Sequence, residues 1–197
     1  MNNLSTSNLL CDRSREVNNP QQGLVIGNRI PKDYFITMGT GESDITIHAG
    51  SYHLALKSAG IERANIMTYS SILPSIANLV NQPDDYTHGA VMETIMAVAH
   101  SNKGERATAG IIYGWLNHRE TGERYGGLVC EHNGNYTEPA IAEMLRASLN
   151  ELYYNGFEEE YILGDITLLK ESFIPRKKYG TALVALCFTN YLYPVIQ

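Results

Sequence analysis

The run Asn65-Ile66-Met67-Thr68-Tyr69-Ser70-Ser71-Ile72-Leu73-Pro74 decides the reading of this chain. Residues 64–69 have strand character, and the pattern stops at two adjacent serines with a proline three residues further on. Serine pairs commonly serve as turn or N-cap residues. At such a break the pair supports a second reading. The hydroxyl oxygen of Ser71 can attack the carbonyl carbon of Ser70 and turn the amide into an ester. β-Elimination then releases a fragment ending at Ser70 and leaves dehydroalanine at position 71, which hydrolyses to a pyruvoyl cap made from the chain itself.

Working outward, residues 51–59 carry helical spacing, with Tyr52, Leu54, Ala55, Leu56 and Ala59 available for burial and Gly60 as a C-cap. Residues 34–38 read as a strand broken by Gly39-Thr40-Gly41. On the other side, residues 89–100, 107–116 and 126–132 read as a meander of strands joined by the turns Ser101-Asn102-Lys103-Gly104 and Arg119-Glu120-Thr121-Gly122. Thr137 is an N-cap with Pro139 in the first turn, and Ile141, Met144, Leu145, Leu149, Leu152 and Tyr153 fall on one face of a helix running through Tyr154. Residues 161–169 and 181–189 are the last strands. The expected class is α+β, a mostly antiparallel sheet core with helices packed outside. Residues 1–29, rich in Asn, Gln and Ser, read as a flexible arm, and residues 30–197 as a single domain.

Composition excludes several functions. A net charge of −6 disfavours a nucleic-acid backbone as partner. No apolar stretch approaches the ~20 residues of a membrane span, and the N-terminus lacks the basic flank and apolar core of a secretory signal. Cys11, Cys130 and Cys187 are odd in number and far apart, which points to a reduced, cytoplasmic protein. Cys130 and Cys187 sit in apolar runs and read as small core residues. His48, His88, His100 and His118 form no metal-ligand spacing, so no metal is expected.

The chain resembles the pyruvoyl-dependent arginine decarboxylases. Asn65 six positions before Ser71, followed by Ser70-Ser71-Ile72-Leu73-Pro74, is similar to the family's processing site. Gly41-Glu42-Ser43-Asp44 upstream, His88-Gly89-Ala90-Val91-Met92-Glu93 downstream, the strand Gly127-Leu128-Val129-Cys130-Glu131 and the C-terminal Tyr179-Gly180-Thr181-Ala182-Leu183 extend the likeness over residues 31–188. The resemblance implies an α-β-β-α sandwich assembled as trimers, or trimers paired into hexamers, with active sites at subunit contacts. It also implies self-cleavage between residues 70 and 71, conversion of arginine to agmatine and CO2, and a covalent pyruvoyl group derived from Ser71. That ketone condenses with the substrate amine and accepts the electron pair left by CO2, as pyridoxal does elsewhere.

The same resemblance assigns roles. Glu131 matches the family's acid that reprotonates Cα, at the end of an apolar strand where burial favours the protonated form. His132 beside it points to the opposite face. Asn65 matches a residue that assists processing, its amide able to hold a carbonyl oxygen. The family's substrate-reading aspartate falls on His53, and an imidazole cannot replace a carboxylate fork for arginine. Glu42 or Asp44 is the candidate to compensate in substrate binding. Two alternatives follow from His53, the same chemistry on a different amino acid and a non-catalytic binding relative. A serine hydrolase built on Ser70 or Ser71 with His53 or His88 lacks the G-x-S-x-G elbow.

Overall fold

The computed structural model describes residues 26–195. Along the chain run β1 (Ile30–Pro31), β2 (Asp33–Ser43), a π-helical turn (Ile47–Tyr52), α1 (His53–Ser58), β3 (Asn65–Thr68), β4 (Ile72–Pro74), β5 (Asn78–Leu79), β6 (Val91–Asn102), β7 (Ala107–His118), β8 (Arg124–Gly134), α2 (Glu138–Tyr154), β9 (Tyr161–Phe173), β10 (Tyr179–Phe188) and β11 (Tyr191–Leu192). Five strands form one sheet in the order β3-β6-β10-β2-β5, four form a second in the order β4-β8-β7-β9, and β1 pairs with β11. All pairs are antiparallel except β2 with β5 and β3 with β6.

Alternation along the long strands builds three apolar layers. Ile95, Ala97 and Ala99 of β6 and Ala182, Val184 and Leu186 of β10 face Ala107, Ala109, Ile111, Tyr113 and Trp115 of β7 between the sheets. The opposite residues of β10, Leu183, Ala185 and Cys187, meet Ala55, Leu56 and Ala59 beside α1. On the far side, Ile141, Leu145 and Leu149 of α2 lie against Ile112, Leu116 and Leu128. The order is therefore helix, sheet, sheet, helix. Strand β7 is buried on both faces from Ala107 to Leu116, which explains its unbroken apolar run.

Thr137 caps α2 by accepting a hydrogen bond from the Ala140 amide at 3.4 Å. Gly39-Thr40-Gly41 does not break β2, which continues to Ser43. These glycines instead let α1 lie directly on the sheet, because a Cβ at Gly39 would stand 2.3 Å from the Ala55 carbonyl oxygen and one at Gly41 2.4 Å from the Ala55 amide nitrogen. The helix beginning expected at Ser51 is shifted as well, since residues 47–52 form the wider turn, with the Ser51 amide donating to the Thr46 carbonyl at 3.1 Å. Gly41→Ala is expected to destabilise the fold by about 1–3 kcal/mol, since only backbone atoms could yield. Calorimetry should show a melting temperature lower by about 2–4 °C per kcal/mol. Gly156, with open space where a Cβ would go, is the control. Equal melting of Gly41→Ala and Gly156→Ala would mean that α1 does not press on β2.

Among the described residues, 26–28 and 193–195 form a unit separate from Arg29–Leu192. Ile26 bridges Val195 in antiparallel fashion, and the Gly27 amide donates to the Pro194 carbonyl at 2.7 Å. Most of the arm expected over residues 1–29, namely residues 1–25 with Cys11, lies outside the described residues.

Candidate active site

The Ser-Ser pair lies where the chain leaves one sheet for the other. The Tyr69 amide still donates to the Thr94 carbonyl on β6 at 2.7 Å, whereas Ile72 already pairs with Leu128 on β8. Between them the Ile72 amide donates to the Ser70 carbonyl at 3.0 Å, closing a three-residue turn around Ser71. The Val129 amide donates to the Ser71 carbonyl at 3.1 Å and ties the turn to β8. A proline two residues into β4 is tolerated because β4 is the edge of its sheet.

The Ser71 hydroxyl donates to Glu131 Oε2 at 2.6 Å. That length is typical of a hydroxyl bonded to a carboxylate. The carbonyl that Ser71 would attack thus carries an amide donor, and the attacking oxygen carries an acceptor for its proton. Both features fit formation of a pyruvoyl group from Ser71. Glu131 is half-buried, on the same side of β8 as Val129. His132 points the other way, as expected, its Nε2 lying 2.9 Å from Ser148 Oγ on α2.

A cleft of about 610 Å³ opens here, lined by Ser71, Glu131 and His132 from the sheet and by Ser148, Glu151 and Leu152 from α2. Its volume lies within the ordinary range for small-molecule sites. The α2 contribution was not foreseen. Residues 148, 151, 152 and 155 share one helical face. Their spacing is legible, but not which strands the last turns of α2 overhang.

The other expected site residues are placed elsewhere. Asn65 is exposed on β3, and its Nδ2 donates to the Gly89 carbonyl at 2.8 Å. His53 opens α1 and is also exposed. The carboxylate of Glu42 accepts from the Arg176 and Lys177 amides at 2.7 and 3.3 Å, and that of Asp44 from the Lys178 amide at 3.1 Å. These two acids hold the loop that precedes β10. Within one chain, then, Ser70, Ser71 and Glu131 come together, while His53, Asn65, Glu42 and Asp44 do not line the cleft. Glu93, in the downstream motif, is buried and paired with Arg29.

Cys187 is fully buried, and burial pushes its thiol up to about 12. Cys130 is pushed up to about 11, chiefly by burial and further by Glu131. Both are poor thiolates, in line with packing roles. His100 packs against Tyr52, with Nδ1 2.9 Å from Thr181 Oγ1, and burial followed by the nearby His48 holds its pKa below the ordinary value. Among the described residues no group of three or more His, Cys, Asp or Glu side chains is arranged to hold a metal, and no helix is long and apolar enough to cross a membrane.

A model of the family described as pyruvoyl-dependent arginine decarboxylase matches residues 33–192. The pyruvoyl-dependent arginine decarboxylase of Chlamydia abortus is 33% identical over 193 residues, covering 84% of this chain and 94% of that protein. That of Thermoplasma volcanium is 29% identical over 151 residues, covering 69% and 80%. The enzyme of Methanococcoides burtonii is 32% identical over 136 residues, covering 61% and 71%. With its two-sheet sandwich, its serine pair at the crossing between the sheets and this match over nearly all the described residues, the chain belongs to the pyruvoyl-dependent arginine decarboxylase family.

Proposed function

We propose that this chain cleaves itself between Ser70 and Ser71 and then decarboxylates arginine to agmatine. The observation that carries this reading is the 2.6 Å contact from the Ser71 hydroxyl to Glu131, beside a Ser70 carbonyl already bonded to the Ile72 amide. Glu131 takes the hydroxyl proton as Ser71 Oγ bonds to the Ser70 carbonyl carbon, and the Ile72 amide holds the oxygen that gains charge. The C–N bond then breaks as the nitrogen takes that proton from Glu131, leaving an ester to Oγ and a free amine on Ser71. Loss of the Ser71 Cα proton breaks the Cβ–Oγ bond and frees the Ser70 carboxylate. Water replaces the nitrogen, which departs as ammonia, and a keto group remains at residue 71.

That keto group supplies the electrophile for the substrate amine and the sink for the electron pair left by CO2. Glu131, no longer bonded to a serine hydroxyl, is placed to hold a proton beside residue 71 and deliver it to the substrate Cα.

His53 and Asn65 are exposed and outside the cleft of their own chain, which suits residues that serve the cleft of a neighbouring copy. The functional unit in this reading is a trimer, in which Asn65 assists processing and His53 borders the substrate. Glu42 and Asp44 act at one remove, by fixing the loop between β9 and β10. Three thiols without disulfide spacing suit a reducing cytoplasm. A CO2-release screen across the common amino acids tests the substrate. Arginine should be turned over in preference to lysine, histidine and aspartate. Turnover of another amino acid by cleaved protein would refute the arginine assignment, and no turnover at all would favour a binding role.

A further inference from the structure

We propose that Glu151 supplies the carboxylate that position 53 lacks, and that it reads the cationic side chain of the substrate. The inference rests on the proposed decarboxylation at Ser71 and goes further by assigning a specificity residue within the same chain.

Glu151 lies in the last turn of α2 and lines the cleft that contains Ser71 and Glu131. The charged side chains around that cleft are Glu131 and Glu151, with His132 as the third titratable group apart from the thiol of Cys130. Among the described residues no lysine or arginine lines it. Glu131 is engaged by the Ser71 hydroxyl, and His132 by Ser148. The Glu151 side chain makes no hydrogen bond or ion pair with another described residue, although its main-chain carbonyl accepts from the Asn155 amide at 3.0 Å. An unengaged, exposed carboxylate is therefore left on the α2 side of the cleft, the side to which His132 points.

The end of α2 adds to this field. The C-terminus of a helix carries partial negative charge, and the last turn of α2 has no basic residue to offset it. A substrate whose amine is held at residue 71 would extend its side chain along the cleft toward that turn. A guanidinium matches a carboxylate with two parallel N–H···O bonds, and an ammonium matches it as a point charge. A carboxylate side chain, as in aspartate, would meet the like charge of Glu151 and the negative end of the helix. Leu152 beside Glu151 offers apolar contact to the methylenes that precede the cation. The cleft thus selects a basic amino acid without an acid at residue 53.

The test is steady-state kinetics on fully cleaved enzyme with L-arginine and with L-citrulline, its neutral isostere. Glu151→Gln should raise the KM for arginine about 10- to 100-fold, the range for a lost charge-assisted hydrogen bond. The kcat for arginine and the kcat/KM for citrulline should stay within about twofold of wild type. Glu143→Gln, the same charge change on an exposed position of α2 outside the cleft, should leave the KM for arginine unmoved. Glu151→Lys should raise it beyond the Gln variant. A wild-type KM for arginine in cleaved, active Glu151→Gln overturns the assignment while leaving the decarboxylase reading intact. An equal rise for citrulline overturns it too, by showing a loss of shape instead of charge. Wild-type enzyme that is cleaved yet releases no CO2 from arginine overturns both.

Discussion

Ser71→Ala leaves one uncut chain and no measurable decarboxylation. In the proposed reaction the side-chain oxygen of Ser71 is at once the nucleophile of the acyl shift, the leaving atom of the elimination and the reason a ketone arises at this position. Alanine supplies none of these, and nothing else in the three-residue turn can replace it. The Ile72 and Val129 amides bond to main-chain carbonyls, so the turn itself does not need the hydroxyl. Ser71 is only half-buried, and Ser71→Ala should melt near the wild-type temperature. Loss of activity together with the fold would be uninformative, so circular dichroism and melting accompany the gel and the CO2 assay. Cleaved or active Ser71→Ala would show that another residue provides the electrophile.

Glu131→Gln should have the next largest effect, and on two steps. From the family likeness alone the variant would be expected to cleave normally and turn over poorly. The 2.6 Å contact to Ser71 adds a proposed processing role, in which the same carboxylate receives the hydroxyl proton. Glutamine can still accept that hydrogen bond but cannot take the proton. Loss of a general acid or base typically lowers a rate by about 10²–10⁴-fold. Cleavage followed over time in freshly made protein should slow within that range, and the cleaved fraction should show a comparable fall in kcat. Wild-type kcat would remove Glu131 as proton donor, and wild-type cleavage with reduced kcat would confine it to the later step.

The fold was legible wherever periodicity is strong. Strands β6, β7, β8 and β10 and helix α2 lie where apolar runs bounded by turns and the i, i+4 spacing of Ile141, Leu145 and Leu149 put them. Short edge strands were not, because β1, β4, β5 and β11 span only two or three residues and exist through their partners. Gly39 and Gly41 misled for a physical reason. Local rules treat paired glycines as a break, whereas here they admit the backbone of α1. Of the candidate site residues, Ser70, Ser71 and Glu131, singled out by the serine pair and the family likeness, lie at one cleft. The Ile72 amide and the α2 wall were not foreseen, since both arise from the chain switching sheets between Tyr69 and Ile72. Glu42 and Asp44, substrate-binding candidates in the sequence, are bonded to loop amides.

Denaturing mass spectrometry of the purified, full-length, active protein is the most direct measurement. Two fragments are expected, residues 1–70 with a free carboxyl terminus and residues 71–197 beginning in a ketone that borohydride reduces by two hydrogens. A single mass for the intact chain, in a preparation that releases CO2 from arginine, would contradict cleavage between Ser70 and Ser71.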